Sequence, residues 1–228
     1  MMPLVNIHTH YSVDNKEFIE IQNIDIDNAT DVGVFRFCSI GFHPWNVSSQ
    51  QLTNISQQIF STLSHILKVS DSQSIMAIGE CGLDRACNCD FDLQKNIFIK
   101  QIQLSEQYAK PLIIHAVKSY PDIIAIRKVT KAKQNWIIHG FQGNEQSAMQ
   151  LLKHEGFYLS LGDVLFKNEY KARQLLRVIP VERLFFETDV ADRNIKDVYE
   201  KASQLSGLEM DELTNDIFNN FVKIFGKI

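Results

Sequence analysis

The sequence predicts an α/β fold: a single-domain, TIM-like (β/α)8 barrel over residues 1–228, distorted because its first helix is shortened or missing. Short runs rich in Ile, Val and Phe alternate with longer amphipathic runs, which is the pattern of parallel βαβ units. Eight such short runs are present, the number that closes a barrel. A chain of 228 residues with 45% hydrophobic content is also long enough to bury one large core.

The predicted strands are short apolar runs, and they cover residues 4–8, 18–26, 35–41, 75–80, 112–115, 136–139, 157–161 and 184–187. Apolar residues at helical spacing predict helices over 49–68, 91–109, 120–129, 145–155 and 168–178, and two more over 195–205 and 210–225 end the chain. The span from His10 to Gly41 is too short for a usual first helix before a second strand. We therefore expect a loop between the first two strands.

Composition excludes several classes of protein. No apolar stretch approaches the roughly 20 residues that a membrane span needs, and the Met-Met-Pro start lacks the pattern of a secretory signal. We therefore expect a cytoplasmic protein with no membrane partner. A net charge of -4 argues against a broad basic surface for duplex nucleic acid. The cysteines lack the paired spacing of a zinc knuckle, so we expect reduced thiols at Cys38, Cys81, Cys87 and Cys89.

The most informative motif is the pair His8 and His10, which follows the apolar start of the first strand. Side chains two residues apart on a strand point to the same face, so both imidazoles can reach one cation. Later strands also end in histidines or acidic residues: Glu80, His115, His139 and Asp189. Strand C-termini of a barrel converge on one mouth, and these side chains bind Zn²⁺, Mn²⁺ and similar cations. The sequence therefore predicts a metal site at that mouth, with Glu80 as the carboxylate that two cations share.

Six segments, in order over nearly the whole chain, resemble the TatD family of metal-dependent hydrolases. They are NIHTH at 6–10, GFHP at 41–44, AIGECGLD at 77–84, PLIIH at 111–115, HGFQG at 139–143 and ETD at 187–189. The resemblance implies deoxyribonuclease activity supported by two divalent metal ions (Zn, Mg or Mn). It implies one ion on His8, His10, Glu80 and Asp189, and a second ion on Glu80, His115 and His139.

The same resemblance implies roles for residues around the metals. The candidate catalytic residues are Asp189, Glu80 and His43, with Asp189 as general base and His43 facing the substrate phosphate. The chain departs from the family pattern near the substrate. Lys118 lies beside the position where the family commonly has an arginine, and Arg85 stands where an aromatic residue is frequent. The candidate substrate-binding residues are therefore His43, Lys118 and Arg85.

Three functions remain open from the sequence. The first is a monomeric, metal-dependent deoxyribonuclease that acts on single-stranded DNA or DNA ends, because a small acidic chain has little surface to grip a duplex. The second is a metallohydrolase of an acyl bond, such as an amide, a lactone or an aminoacyl-tRNA ester. The third is a binding or scaffolding protein without catalysis, which the intact ligand set argues against.

Overall fold

The computed structural model describes residues 2–11, 17–47, 55–69 and 74–227. Eight strands follow one another in one sheet, in the order β1 to β8. They are β1 (Leu4–Thr9), β2 (Phe18–Asp25), β3 (Cys38–Gly41), β4 (Ile75–Asp84), β5 (Leu112–Val117), β6 (Trp136–Ile138), β7 (Phe157–Leu161) and β8 (Leu184–Phe186). Parallel strands in chain order, with helices between most of them, are the arrangement of a (β/α)8 barrel. The predicted fold class is confirmed.

All but one of the described helices agree with the amphipathic runs of the sequence, and the exception is the short helix Val164–Lys167. They are α1 (Ile55–Val69), α2 (Phe91–Tyr108), α3 (Tyr120–Thr130), α4 (Glu145–Leu152), α5 (Val164–Lys167), α6 (Glu169–Val178), α7 (Ile195–Ser206) and α8 (Met210–Phe225). The predicted start of the first helix, 49–54, lies outside the described residues. Within the described part of the chain, no α-helix separates β1 from β2, and only a 3-10 helix, Ile26–Asp31, separates β2 from β3. Of the helices that the structure describes, none is both long and apolar enough to cross a lipid bilayer.

Short polar side chains fix where several helices begin. The side chains of Asp90, Asn144 and Asn168 each accept a hydrogen bond from the backbone N–H three residues later, at the starts of α2, α4 and α6. Gly207 ends α7 with a φ of 79°, in the left-handed region that glycine adopts without strain. The helix boundaries therefore follow from local sequence chemistry.

The chain forms two compact units: Met1–Gln22 with Ile137–Ile228, and Asn23–Trp136. In the first unit, β1 pairs with β2, β7 pairs with β8, and α7 and α8 pack against β1. In the second unit, β4 pairs with both β3 and β5, and α2 packs against α1 and β4.

In the second unit, β4 continues beyond its predicted end. The prediction of a strand over 75–80 is wrong at its C-terminus, because the strand runs to Asp84 and pairs with β5 along its second half. Gly82 permits this pairing: its φ is 142°, and a Cβ there would lie 2.1 Å from the carbonyl oxygen of His115. Glu80 therefore lies within the strand, and Asp84 occupies the strand end.

In the first unit, a tyrosine satisfies the backbone of β1. The hydroxyl of the buried Tyr199 on α7 accepts a hydrogen bond from the Val5 N–H at 3.1 Å and donates one to the Val5 carbonyl oxygen at 3.0 Å. An isolated parallel bridge joins Thr9 to Asp189, just beyond β8. A side chain thus takes the place of a neighbouring strand for Val5.

Candidate metal centre

One cluster of metal-binding side chains lies in the first unit. His8, His139 and Asp189, here called the His8 cluster, each offer one ligand atom, and these atoms lie within 4.8 Å of one another. His8 Nε2 lies 3.5 Å from Asp189 Oδ1, and the His8 and His139 ring centroids are 4.3 Å apart. His10 Nε2 lies 3.6 Å from the same carboxylate oxygen. The His8 side chain is fully buried, whereas that of Asp189 is 37% exposed, so the carboxylate is open to solvent.

Backbone and side-chain hydrogen bonds hold Asp189 beside His8 of β1 and His10, which directly follows the strand. The His10 N–H donates to the Asp189 carbonyl oxygen at 3.0 Å, and the Asp189 N–H donates to the His8 carbonyl oxygen at 3.1 Å. Beside them, Asn6 Nδ2 donates to Thr188 Oγ1 at 2.9 Å, and the Thr188 N–H donates to Asn6 Oδ1 at 3.1 Å. These hydrogen bonds hold the turn after β8 against β1, and they fix Asp189 in place beside the histidines before any ion binds.

Glu187 is a site residue to which the sequence assigned no role. Its Oε1 accepts a hydrogen bond from the Gly140 N–H at 2.6 Å and lies 3.4 Å from His139 Nδ1. Its Oε2 is buried and has no hydrogen-bond partner among the described residues. A buried carboxylate oxygen without a donor is costly unless positive charge lies nearby. Glu187 therefore orients His139 and favours positive charge around the His8 cluster.

A second cluster lies in the second unit and consists of His43, Glu80 and His115, here called the His43 cluster. Their ligand atoms also lie within 4.8 Å of one another. Glu80 Oε1 lies 3.0 Å from His43 Nε2 and 2.9 Å from His115 Nδ1. The Glu80 N–H donates to Asn23 Oδ1 at 2.8 Å, which fixes the backbone that carries the carboxylate. A buried carboxylate thus sits between two imidazoles.

Asp84, at the end of β4, contacts the side of the His115 ring that faces away from Glu80. Its Oδ2 accepts from Trp45 Nε1 at 2.6 Å and lies 3.1 Å from His115 Nε2, while Oδ1 accepts from the Ala86 N–H at 2.6 Å. Burial opposes ionisation of Asp84, but these hydrogen bonds outweigh it and hold its pKa below the ordinary value. A carboxylate on Nε2 keeps the proton there and directs Nδ1 of His115 toward Glu80 as the ligand atom.

Asp84 contacts the candidate ligand His115 and does not cap the helix that follows, because Asp90 caps α2. The spacing of Asp84 and His115 gives no local signal for their contact, since 31 positions separate them. Only the pairing of β4 with β5 brings these two side chains together.

The two basic candidates for substrate binding have different surroundings. Arg85 makes a two-point ion pair with Asp122, with distances of 2.9 and 2.7 Å, and its guanidinium lies 3.9 Å from the centroid of the Phe91 ring. Contact between Arg85 and a substrate requires this pair to open. Lys118 is exposed, directly after β5, with a φ of 51°. Substrate contact by either residue stays a prediction.

Comparison with known proteins now identifies the family. The family model described as TatD related DNase matches residues 9–226. The chain belongs to the TatD family. It is 31% identical over 207 residues to a Bacillus subtilis protein named uncharacterized metal-dependent hydrolase YabD, covering 84% of this chain and 78% of that protein. A Danio rerio protein with the provisional deoxyribonuclease name tatdn3 is 28% identical over 210 residues, covering 85% of this chain and 77% of that protein.

Solved structures of TatD proteins share the fold. The Escherichia coli K12 TatD homolog YjjV superposes with a TM-score of 0.84 at 18% identity, covering 99% of this chain and 98% of that one. A TatD-family hydrolase from Entamoeba histolytica gives a TM-score of 0.78 at 18% identity, covering 99% of both chains. At such identities the likeness shows the fold alone. Together with the family match, it confirms the predicted fold, the TatD family and the class of metal-dependent hydrolase.

Proposed function

We propose that this TatD protein is a deoxyribonuclease, which hydrolyses phosphodiester bonds of DNA with divalent cations held by the His8 and His43 clusters. The main support is the donor chemistry of the two clusters. Each offers imidazole nitrogens and a carboxylate oxygen within 4.8 Å of one another, which is a donor set that suits Zn²⁺ or Mn²⁺. The deoxyribonuclease name of the Danio rerio relative supports DNA as the substrate.

The residues that would hold the cations follow from the clusters. His8, His139 and Asp189, with His10 beside them, would hold one ion, and Glu80 with His115 would hold another. Sharing of Glu80 between the two ions and ligation of the second ion by His139 stay predictions. When bound, the cations supply positive charge that lowers the pKa of water and stabilises negative charge on the phosphoryl oxygens.

The chain's own groups provide the proton transfers of the proposed reaction. Asp189 is the general base, because its carboxylate is open to solvent and can accept a proton from the attacking water. The Trp45 N–H donates to His43 Nδ1 at 3.1 Å, so neutral His43 carries its proton on Nε2. That Nε2–H faces Glu80 and is the proton that His43 can donate to the leaving oxygen. Lys118, exposed after β5, is a candidate contact for the DNA backbone.

The proposal is tested with end-labelled single-stranded and duplex DNA. We expect cleavage that stops after chelation and returns with Mg²⁺, Mn²⁺ or Zn²⁺. Glu80→Gln keeps the shape of the side chain and removes its charge, so we expect activity to fall by roughly 100-fold or more while circular dichroism shows that the fold persists. The control is Glu182→Gln, an exposed glutamate before β8 that should retain full activity. Full activity of Glu80→Gln, or of the chelated protein, would contradict the proposal.

The same screen includes a lactone, an amide and an aminoacyl ester. Turnover of one of these compounds without cleavage of any oligonucleotide would replace the deoxyribonuclease by an acyl-bond metallohydrolase. We also propose a monomer located in the cytoplasm. The four cysteines are all thiols in the structure, which suits a reducing compartment. Light scattering tests the mass of the particle, and cell fractionation tests its location.

A further inference from the structure

Trp45 is an exposed aromatic side chain that is nevertheless held in place. It is 61% exposed, whereas the other tryptophan of the chain, Trp136, is fully buried. Its indole N–H donates to Asp84 at 2.6 Å, its backbone N–H donates to His43, and its carbonyl oxygen accepts from the Cys89 thiol at 3.8 Å. The 3-10 turn Pro44–Asn46 carries these contacts. A large ring is thus presented to solvent in one orientation, with little conformational entropy left to lose on binding.

The position of this ring links it to the His43 cluster. Its centroid lies 4.9 Å from that of His43 and 5.6 Å from that of His115. In the first unit, Tyr11 directly follows His10 and is 67% exposed. Among the described residues, two of the four exposed aromatic side chains therefore lie within two positions of a candidate site residue; the other two are Phe166 and Tyr170.

We propose that Trp45 is a stacking platform for an unpaired nucleobase of the DNA whose phosphodiester bond reacts at the His43 cluster. This inference rests on the proposed function. Aromatic side chains bind single strands by stacking on bases, and such stacking tolerates any sequence. Only one sugar separates a base from its phosphate, so a base on Trp45 leaves its phosphate within reach of His43. The net charge of -4 provides no broad basic surface for a duplex, which makes the single strand the better ligand.

The hydrogen bond from Trp45 to Asp84 requires a test that separates stacking from positioning. We compare kcat/KM for a single-stranded oligothymidylate with that for an abasic oligonucleotide of the same length. The wild-type protein should prefer the oligothymidylate by roughly 5- to 150-fold, the worth of one stacked base. Trp45→Leu should reduce this preference to near one. Trp45→Phe keeps a stacking ring and loses the indole N–H, so it should keep the preference while both rates fall. Tyr170→Leu, an exposed aromatic outside both clusters, should behave as wild type.

A spectroscopic measurement keeps the inference testable if no oligonucleotide is cleaved. Stacking quenches indole fluorescence, and Trp136 is too buried to respond to a ligand. We expect the oligothymidylate, and not the abasic strand, to quench emission of the Glu80→Gln protein in the presence of Mg²⁺. Absence of cleavage by the wild-type protein would contradict the proposed function, while quenching would still support the stacking platform.

One result would overturn the inference: Trp45→Leu retains the preference for the oligothymidylate. If both rates then fall by the same factor, Trp45 acts by positioning through Asp84 alone. If the particle mass changes instead, the ring contacts a second copy of the chain.

Discussion

Replacement of Asp84 by asparagine tests how the His43 cluster is supported. The carboxylate accepts from donors on both of its sides: Trp45 and His115 on Oδ2, and the Ala86 and Cys87 backbone N–H groups on Oδ1. An amide of the same shape must turn its NH₂ group toward one of these sides. In either orientation, the amide NH₂ group faces protein N–H donors and leaves them without an acceptor. Water cannot easily replace that acceptor, because Asp84 is only 3% exposed.

The magnitude follows from these lost contacts. A buried donor that loses its acceptor costs about 1–3 kcal/mol, so we expect the unfolding free energy of the metal-free protein to fall by that amount. Loss of the carboxylate behind a metal-binding histidine typically weakens metal affinity by roughly 10- to 100-fold. Titration calorimetry with Mn²⁺ measures the affinity, and urea unfolding measures the stability.

The matched control is Asp122→Asn in the same unit. It removes the ion pair with Arg85, whose side chain is 46% exposed, so we expect a stability change below about 1 kcal/mol and unchanged metal affinity. Wild-type metal affinity in Asp84→Asn would refute the reasoning. Equal losses of affinity in both variants would refute it as well.

The stability difference between wild type and Asp84→Asn depends on pH, and the structure gives the direction of the change. Burial raises the pKa of Asp84, but its hydrogen bonds with Trp45, Ala86 and His115 lower it further, to below the ordinary value of 3.8. A pKa that is lower in the folded state stabilises the fold above the unfolded value and loses this effect as the pH falls through the folded value. The stability difference between wild type and Asp84→Asn should therefore shrink below about pH 4. Urea unfolding at several pH values measures it, and a difference that grows on acidification would contradict the assignment.

Two further predictions concern the fold. Tyr199→Phe leaves the Val5 N–H and carbonyl oxygen buried without a partner, so urea unfolding should show that the free energy of unfolding falls by roughly 2–4 kcal/mol. In the exposed control Tyr170→Phe, this free energy should change by less than about 0.5 kcal/mol. Equal changes in the two variants would contradict this role of the Tyr199 hydroxyl. Burial raises the pKa of Cys38 to about 11 and also raises that of Cys81, so a thiol reagent at neutral pH should label at most the other two cysteines. Rapid labelling of all four thiols in the folded protein would contradict this burial.

The sequence predicted elements whose signals are local. A short apolar run located β7 at 157–161, and helical spacing located α8 at 210–225, with the bounds that the structure shows. The end of β4 was wrong because it depends on the close approach of Gly82 to the β5 backbone, which no local pattern encodes. The four-residue helix α5 was missed because it is too short to show a period.

The candidate site also has features that the sequence predicted and features that depend on contacts between distant segments. Histidines and acids at predicted strand ends indicated the cluster members except His43, which only the family resemblance indicated. The structure places His8, His139 and Asp189 together, and Glu80 with His43 and His115. The supporting roles of Asp84 and Glu187 depend on contacts between segments distant in sequence, so spacing gave no signal for them. The pairing of Arg85 with Asp122 was missed for the same reason.

The most direct test of the two-cluster account is an anomalous difference map from crystals grown with Mn²⁺. The account predicts one peak beside His8 and Asp189 and another beside Glu80 and His115. A map without peaks at these residues, or with ions bound only elsewhere, would contradict it.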